Sequence, residues 1–84
     1  MVTDINGKEV IVGSRVKVLE IDMSVTEGLS ENEVIDIKSM LDDVLEVYEV
    51  DEYGRAWVEK WWDRGDGRSE SHSLALESKQ MEVV

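Results

Sequence analysis

The sequence contains no cysteine, no proline and no phenylalanine. Without cysteine, the 84-residue chain forms neither a disulfide framework nor a thiolate metal site. No apolar run approaches the ~18 residues of a membrane span, and the N-terminus lacks the basic-then-apolar pattern of a signal peptide. We therefore expect a cytoplasmic protein with no membrane association, built as a single domain over residues 1–84.

Basic side chains are also scarce, with 9 Lys and Arg against 20 Asp and Glu, so the formal net charge is −11. A phosphate backbone repels such a chain, because nucleic-acid affinity depends on basic side chains. We expect no nucleic-acid ligand, and a partner that is neutral, cationic or a basic protein surface. The alternative is that the charge serves only to keep the protein soluble.

The first part of the chain is predicted to contain short strands around a turn. Asn6-Gly7 favours a type I′ turn, in which both central residues have positive φ. Residues Arg15–Ile21 then alternate, with Val16 and Val18 on one face. This two-residue period predicts a β-strand.

A change of period after residue 29 predicts one α-helix. The sequence Ser30-Glu31-Asn32-Glu33 fits a capping box, in which Ser30 caps the helix and Glu33 reaches back to it. Apolar residues then recur at spacings of three and four, at Val34, Ile37, Met40 and Leu41. We expect a helix of about three turns, near residues 30–42, that ends where Asp42 and Asp43 oppose the helix dipole.

The rest of the chain is predicted to be β. Residues that alternate or are β-branched occupy Val44–Val50, Arg55–Trp62 and Ser71–Leu76. A turn at Asp51–Gly54 and a loop at residues 63–68 separate them, and a tight helical turn precedes a last strand at Met81–Val83. Five or so short strands predict a mainly β fold, and closure into a barrel is favoured because it removes exposed edges.

Three parts of the chain resemble segments of SH3-like barrels. Val12–Val18 resembles their opening strand, residues 44–62 their central hairpin, and residues 74–84 their closing strands. Over about residues 10–84 the chain is similar to small, uncharacterised bacterial proteins of this fold. The resemblance implies an SH3-like barrel of about five short antiparallel strands with one inserted helix, and it implies no reaction. Recognition of proline-rich peptides is not expected, because a helix replaces the specificity loop of signalling SH3 domains.

The aromatic residues are concentrated on the predicted central hairpin. If Val58 faces the core, strand alternation places Trp57 and Trp61 on the opposite face. Aromatic faces beside carboxylates suit a cation, and SH3-like barrels that read methylated lysine use this chemistry. We predict a non-catalytic module for a basic protein or peptide, with the site Tyr48, Tyr53, Trp57, Glu59 and Trp61. The alternative is that the tryptophans fill the core or seal the helix onto the barrel.

Other candidate sites are weaker. His72, the only histidine, shares a face with Leu74 and Leu76, which favours a hydrogen-bonded group at the core edge over a ligand or base. The acidic run at residues 42–52 offers oxygen ligands, but its spacing fits no calcium loop. We therefore predict no metal, no cofactor and no enzymatic activity. The second hypothesis for function is an assembly subunit that forms a weak homodimer through a barrel edge.

Overall fold

The computed structural model describes residues 1–84 and shows a mainly β chain. Strands hold 44% of the residues and helices 18%, which confirms the prediction of a mainly β fold with one α-helix. Two 3₁₀ helices occupy Met23–Thr26 and Ser78–Gln80. The other elements are β1 (Val2–Thr3), β2 (Glu9–Val10), β3 (Arg15–Val18), α1 (Glu31–Lys38), β4 (Val44–Val50), β5 (Ala56–Gly65), β6 (Arg68–Leu76) and β7 (Met81–Val83).

The last five strands of the chain form the main sheet. All its neighbouring strands are antiparallel, and their order is β6-β5-β4-β3-β7. β4 connects its two halves, since Leu45 pairs with Val16 of β3 while Val47 pairs with Val58 of β5. Strands β1 and β2 form a separate hairpin. The β5–β6 hairpin is the longest pairing in the molecule and carries all three tryptophans.

One hydrophobic core joins both halves of the sheet to the helix and the N-terminal hairpin. The predicted alternation is confirmed, because Val16 and Val18 of β3 and Ala56 and Val58 of β5 are all fully buried. The remaining core residues are Val2, Val10, Ile37, Met40, Val47, Leu74, Leu76 and Met81. No helix in the structure combines the length and apolarity needed to cross a membrane.

Helix α1 begins as predicted and ends earlier. Ser30 Oγ accepts the N–H of Glu33 and the Glu33 carboxylate accepts the N–H of Ser30, so the capping box is confirmed. The helix has eight residues, rather than about three turns, and Leu41 lies beyond it, exposed. The backbone turns at Asp42, where φ is 68°, and the Asp42 N–H donates to the Val18 carbonyl at 2.8 Å. Pairing with β3 therefore ends the helix.

Two turn predictions are wrong. At Asn6-Gly7 only the glycine has positive φ, because the Asp4 carboxylate accepts the N–H groups of Asn6 and Lys8 and shapes the turn instead. Residues 63–68 are not a loop, since β5 and β6 remain paired up to Gly65 and Arg68. Asp66 and Gly67, with φ of 52° and 72°, form the two-residue turn between them.

Candidate functional site

The Trp57 ring already contacts a cation from its own chain, the guanidinium group of Arg55. Its side chain is half-buried, and Arg55 Cζ lies 5.9 Å from the Trp57 ring centroid and 5.7 Å from that of Tyr53. These distances are within the range of cation–π attraction. Arg55 thus occupies the aromatic faces that the sequence suggested for a partner's cation.

Asp51 organises this group from the turn between β4 and β5. Its carboxylate accepts the backbone N–H groups of Tyr53 and Arg55, each at 2.9 Å, and the Trp57 indole N–H at 3.0 Å. The Arg55 Nε also donates to it at 3.2 Å. The Arg55 N–H lowers the pKa of Asp51 most, against the opposing effect of burial, and the Trp57 indole lowers it further. The ionised carboxylate therefore holds the Trp57 ring in place.

The Trp61 side chain is exposed to solvent on the outer face of β5. It is 62% exposed, and its indole N–H donates to the Glu59 carboxylate, which also accepts the Ser73 hydroxyl at 3.3 Å. In the pairing of β5 with β6, Trp61 lies opposite Ser71 and Glu59 lies opposite Ser73. Because both neighbours are small, nothing on β6 covers the indole ring.

Trp62 is partly buried and packs against the hydrophobic core. Lys60 Nζ and Arg64 Cζ lie 5.3 and 5.7 Å from its ring centroid, and the His72 ring meets it edge-on at 5.4 Å. Arg64 also donates to Asp36 of α1. Trp62 therefore packs against the core, as the alternative for the tryptophans predicts, and its neighbour Arg64 contacts α1.

His72 lies at the core edge, as predicted, but without the expected hydrogen bond at Nε2. This nitrogen is buried, has no hydrogen-bond partner and lies 3.7 Å from the Asp36 carboxylate. The same carboxylate oxygen accepts Arg64. His72 therefore borders an ionic contact between α1 and β5–β6 without joining it.

The predicted site residues form two groups rather than one. Tyr53 and Trp57 belong with Arg55, whereas Glu59 and Trp61 belong with Ser73. Tyr48 is exposed on β4, at the register shift between Val47 and Glu49, and hydrogen bonds to neither group. The acidic run is spread along β4 and its flanking turns, and no three His, Asp or Glu side chains anywhere are placed to hold a metal ion.

A groove with both polar and apolar lining residues, called the mixed groove below, lies beside Trp57 and was missed by sequence reasoning. Its volume is about 680 Å³, and the chain segment at residues 20–25 forms one wall while β5 and β6 form the other. Met23 and Val25 are 48% and 44% exposed and contribute apolar surface opposite Trp57 and Ala75. The charged residues that line it are Glu20, Asp22, Glu77, Arg55 and Lys79. The predicted strand Arg15–Ile21 ends at Val18, and residues 22–25 carry no strand or helix period, so no sequence pattern indicated the groove.

A second, polar groove of about 860 Å³ lies between α1 and the other end of β6. Every residue that lines it is polar or charged. The α1 side contributes Ser30, Asn32, Glu33 and Asp36, and the hairpin side contributes Arg64, Arg68, Glu70, Ser71 and His72.

No family model, no curated protein and no solved structure matches the chain.

Proposed function

We propose that the chain is a small SH3-like barrel that binds a basic peptide segment and catalyses no reaction. The sheet order supports the barrel, because four consecutive antiparallel strands are followed by a 3₁₀ turn and a last strand that pairs beside β3. The bend of β4 between its two ladders, around a single core, supports it as well.

The proposed binding surface runs from the mixed groove to Trp61. Trp57 and Ser73 line the groove, Ser73 donates to Glu59, and Glu59 accepts the Trp61 indole. The surface is therefore continuous along the outer face of β5 and β6. The observation that carries the proposal is the pair of exposed apolar side chains, Met23 and Val25, that faces Trp57 across a concavity.

Each part of the surface has a chemical role in this proposal. Met23 and Val25 offer apolar contact to the partner's aliphatic side chains, and the open Trp61 ring offers its face to a lysine or arginine. Glu20, Asp22 and Glu77 outnumber Arg55 and Lys79 among the charged residues that line the groove, and the net charge of −11 steers basic segments toward it. Asp51 and Glu59 each accept an indole N–H, so they position the rings rather than act on a substrate.

The test is a fluorescence titration with a capped nine-residue peptide that alternates Lys and Val, matched in length to β6. We expect Trp fluorescence to change with the basic peptide and not with the matched peptide that alternates Glu and Val. Met23→Ser is expected to weaken binding about tenfold, because burial of a methionine side chain contributes ~1.5–3 kcal/mol.

The control variant is Ile11→Ser, which removes an exposed apolar side chain outside the groove. It is expected to bind as the wild type does. Equal binding of the acidic and basic peptides, or equal loss in Met23→Ser and Ile11→Ser, contradicts the proposed function.

The second candidate function is assembly into a homodimer through a barrel edge. It is favoured by the position of β6, which pairs on one side only. Against it, two copies would each bring a net charge of −11 to the contact. Analytical ultracentrifugation at micromolar concentration decides between a monomer and a dimer.

A further inference from the structure

The outer edge of β6 has backbone groups that no other part of the chain pairs with. β6 is the terminal strand of the sheet and pairs only with β5. No backbone hydrogen bond outside that pairing involves residues 66–76. In an antiparallel strand, alternate residues direct their N–H and C=O groups away from the partner. About half of the residues of β6 therefore present free donors and acceptors.

This edge has few of the features that usually block the addition of a strand, and its two charged residues, Arg68 and Glu70, lie toward one end of β6. β6 is nine residues long, contains no lysine or proline, and pairs without a shift from Leu76 to Ser69. The opposite edge differs, since β7 has three residues and the N-terminal hairpin covers it. There the Val83 N–H donates to Asp4 and the Met81 carbonyl accepts from Ile5.

The two grooves lie one after the other along the free edge. Ser73, Leu74 and Ala75 of β6 line the mixed groove, and Arg68, Glu70, Ser71 and His72 contribute to the polar groove. The facing walls belong to one continuous stretch of chain at residues 20–36. The edge thus borders open space along its length rather than packed side chains.

We propose that an extended, basic segment of a partner protein adds to β6 as a further strand and fills both grooves. This inference rests on the proposed function and specifies how the peptide binds. Free backbone groups at strand spacing demand an extended main chain, and alternate side chains of that strand would face Met23 and Val25. Carboxylates on both grooves, including Asp22, Glu33 and Glu77, favour a basic segment over a second copy of this acidic chain.

Backbone amide exchange, measured by NMR on the full chain, tests the strand addition directly. In the free protein we expect alternate amides of residues 68–76 to exchange rapidly. When the Lys-Val peptide saturates the protein, those same amides should slow by about tenfold or more, because they become ladder donors. The amide of Glu52, in the exposed β4–β5 turn, serves as the control and should not change.

Methylation of the peptide backbone supplies a second measurement that leaves the protein unaltered. Two Lys-Val peptides carry N-methyl groups at either the odd or the even residues. Only one edge of an added strand faces β6, so one pattern should abolish binding and the other should preserve it. Equal effects of the two patterns overturn the inference.

The outcomes separate this inference from the proposed function. If no Lys-Val peptide binds, both fail. If the peptide binds with the expected dependence on Met23 while the β6 amides remain unprotected, the strand addition alone is overturned. If the β6 amides become protected without peptide as protein concentration rises, a second copy occupies the edge and the basic partner is overturned.

Discussion

Two aspartates show how single carboxylates organise this fold. Asp4 is 2% exposed and accepts the N–H groups of Asn6 and Lys8 locally and that of Val83 from the other end of the chain. The Val83 N–H lowers the pKa of Asp4 most, against the effect of burial, as the Arg55 N–H does for Asp51. Each carboxylate replaces several backbone hydrogen bonds that a turn or an edge strand lacks.

These pKa shifts predict a loss of stability in acid. Both pKa values lie below the ordinary 3.8, so the folded state favours the ionised form. The resulting stabilisation is complete above pH 3.8 and is lost as the pH falls through the folded-state pKa. We expect Asp4→Asn to lower the free energy of unfolding at neutral pH, and the difference from wild type to shrink in acid.

Urea denaturation above and below pH 3.8 measures this difference. Glu9→Gln is the matched control, because Glu9 is exposed and its carboxylate makes no hydrogen bond. It should change stability little at either pH. If the free energies of unfolding of Asp4→Asn and wild type differed by the same amount at both pH values, the assigned role of the carboxylate would be contradicted.

Among the elements, the β5–β6 hairpin sets the positions of both grooves, and its turn departs most from the sequence expectation. The charges and glycines of residues 63–68 predict a loop, whereas in the structure Asp66-Gly67 forms a two-residue turn. Pairing extends through the charged segment because Arg64 reaches Asp36 of α1 and Glu70 of β6. A tertiary contact therefore lengthens the hairpin beyond its alternating apolar residues.

The turn gives a prediction at this scale. Gly67→Ala should destabilise the protein by ~1–2 kcal/mol, because an L-residue is strained at positive φ. A Cβ at Gly67 would meet no atom within 4 Å, so the loss is conformational rather than steric crowding by neighbours. Chemical denaturation measures it. Asp66→Asn is the control, since asparagine tolerates the left-handed region, and equal stability of Gly67→Ala and wild type would contradict the turn assignment.

At the scale of the whole molecule, unbalanced charge opposes folding and favours a basic partner. Three of the basic side chains form ion pairs, namely Arg55 with Asp51, Lys60 with Asp43 at 2.5 Å, and Arg64 with Asp36 and Glu70. Most of the 20 acidic side chains have no such partner. The self-repulsion of the chain and the proposed attraction for a cationic peptide therefore have the same origin.

Salt should consequently act in opposite directions on folding and on binding. As NaCl rises from about 0.01 M to about 1 M, the screening length falls from ~30 to ~3 Å. We expect the thermal midpoint to rise and the affinity for the Lys-Val peptide to fall. Scanning calorimetry and fluorescence titration measure the two quantities, and chloride is used because sulfate stabilises proteins by exclusion from their surface. A thermal midpoint that falls with NaCl would contradict this account.

Local patterns account for the features that were predicted correctly. Alternation in β3 and β5 identified the buried valines, and Leu74 and Leu76 followed from the same period in β6. The capping box at Ser30 was recognisable because its hydrogen bonds join residues three apart in the sequence. The candidate site was only partly predictable: alternation placed Trp61 outward, whereas the stacking of Arg55 on Trp57 depends on how the turn at Asp51 folds.

The sequence by itself determined a mainly β chain with one capped helix, the inward faces of β3, β5 and β6 and a strongly acidic surface, because these depend on composition and on residues a few positions apart. Only the tertiary structure decided where the helix ends, which indole stays open, and that residues 20–36 lie across from the free edge of β6. These features depend on contacts between residues far apart in the chain, whose energies no local period encodes.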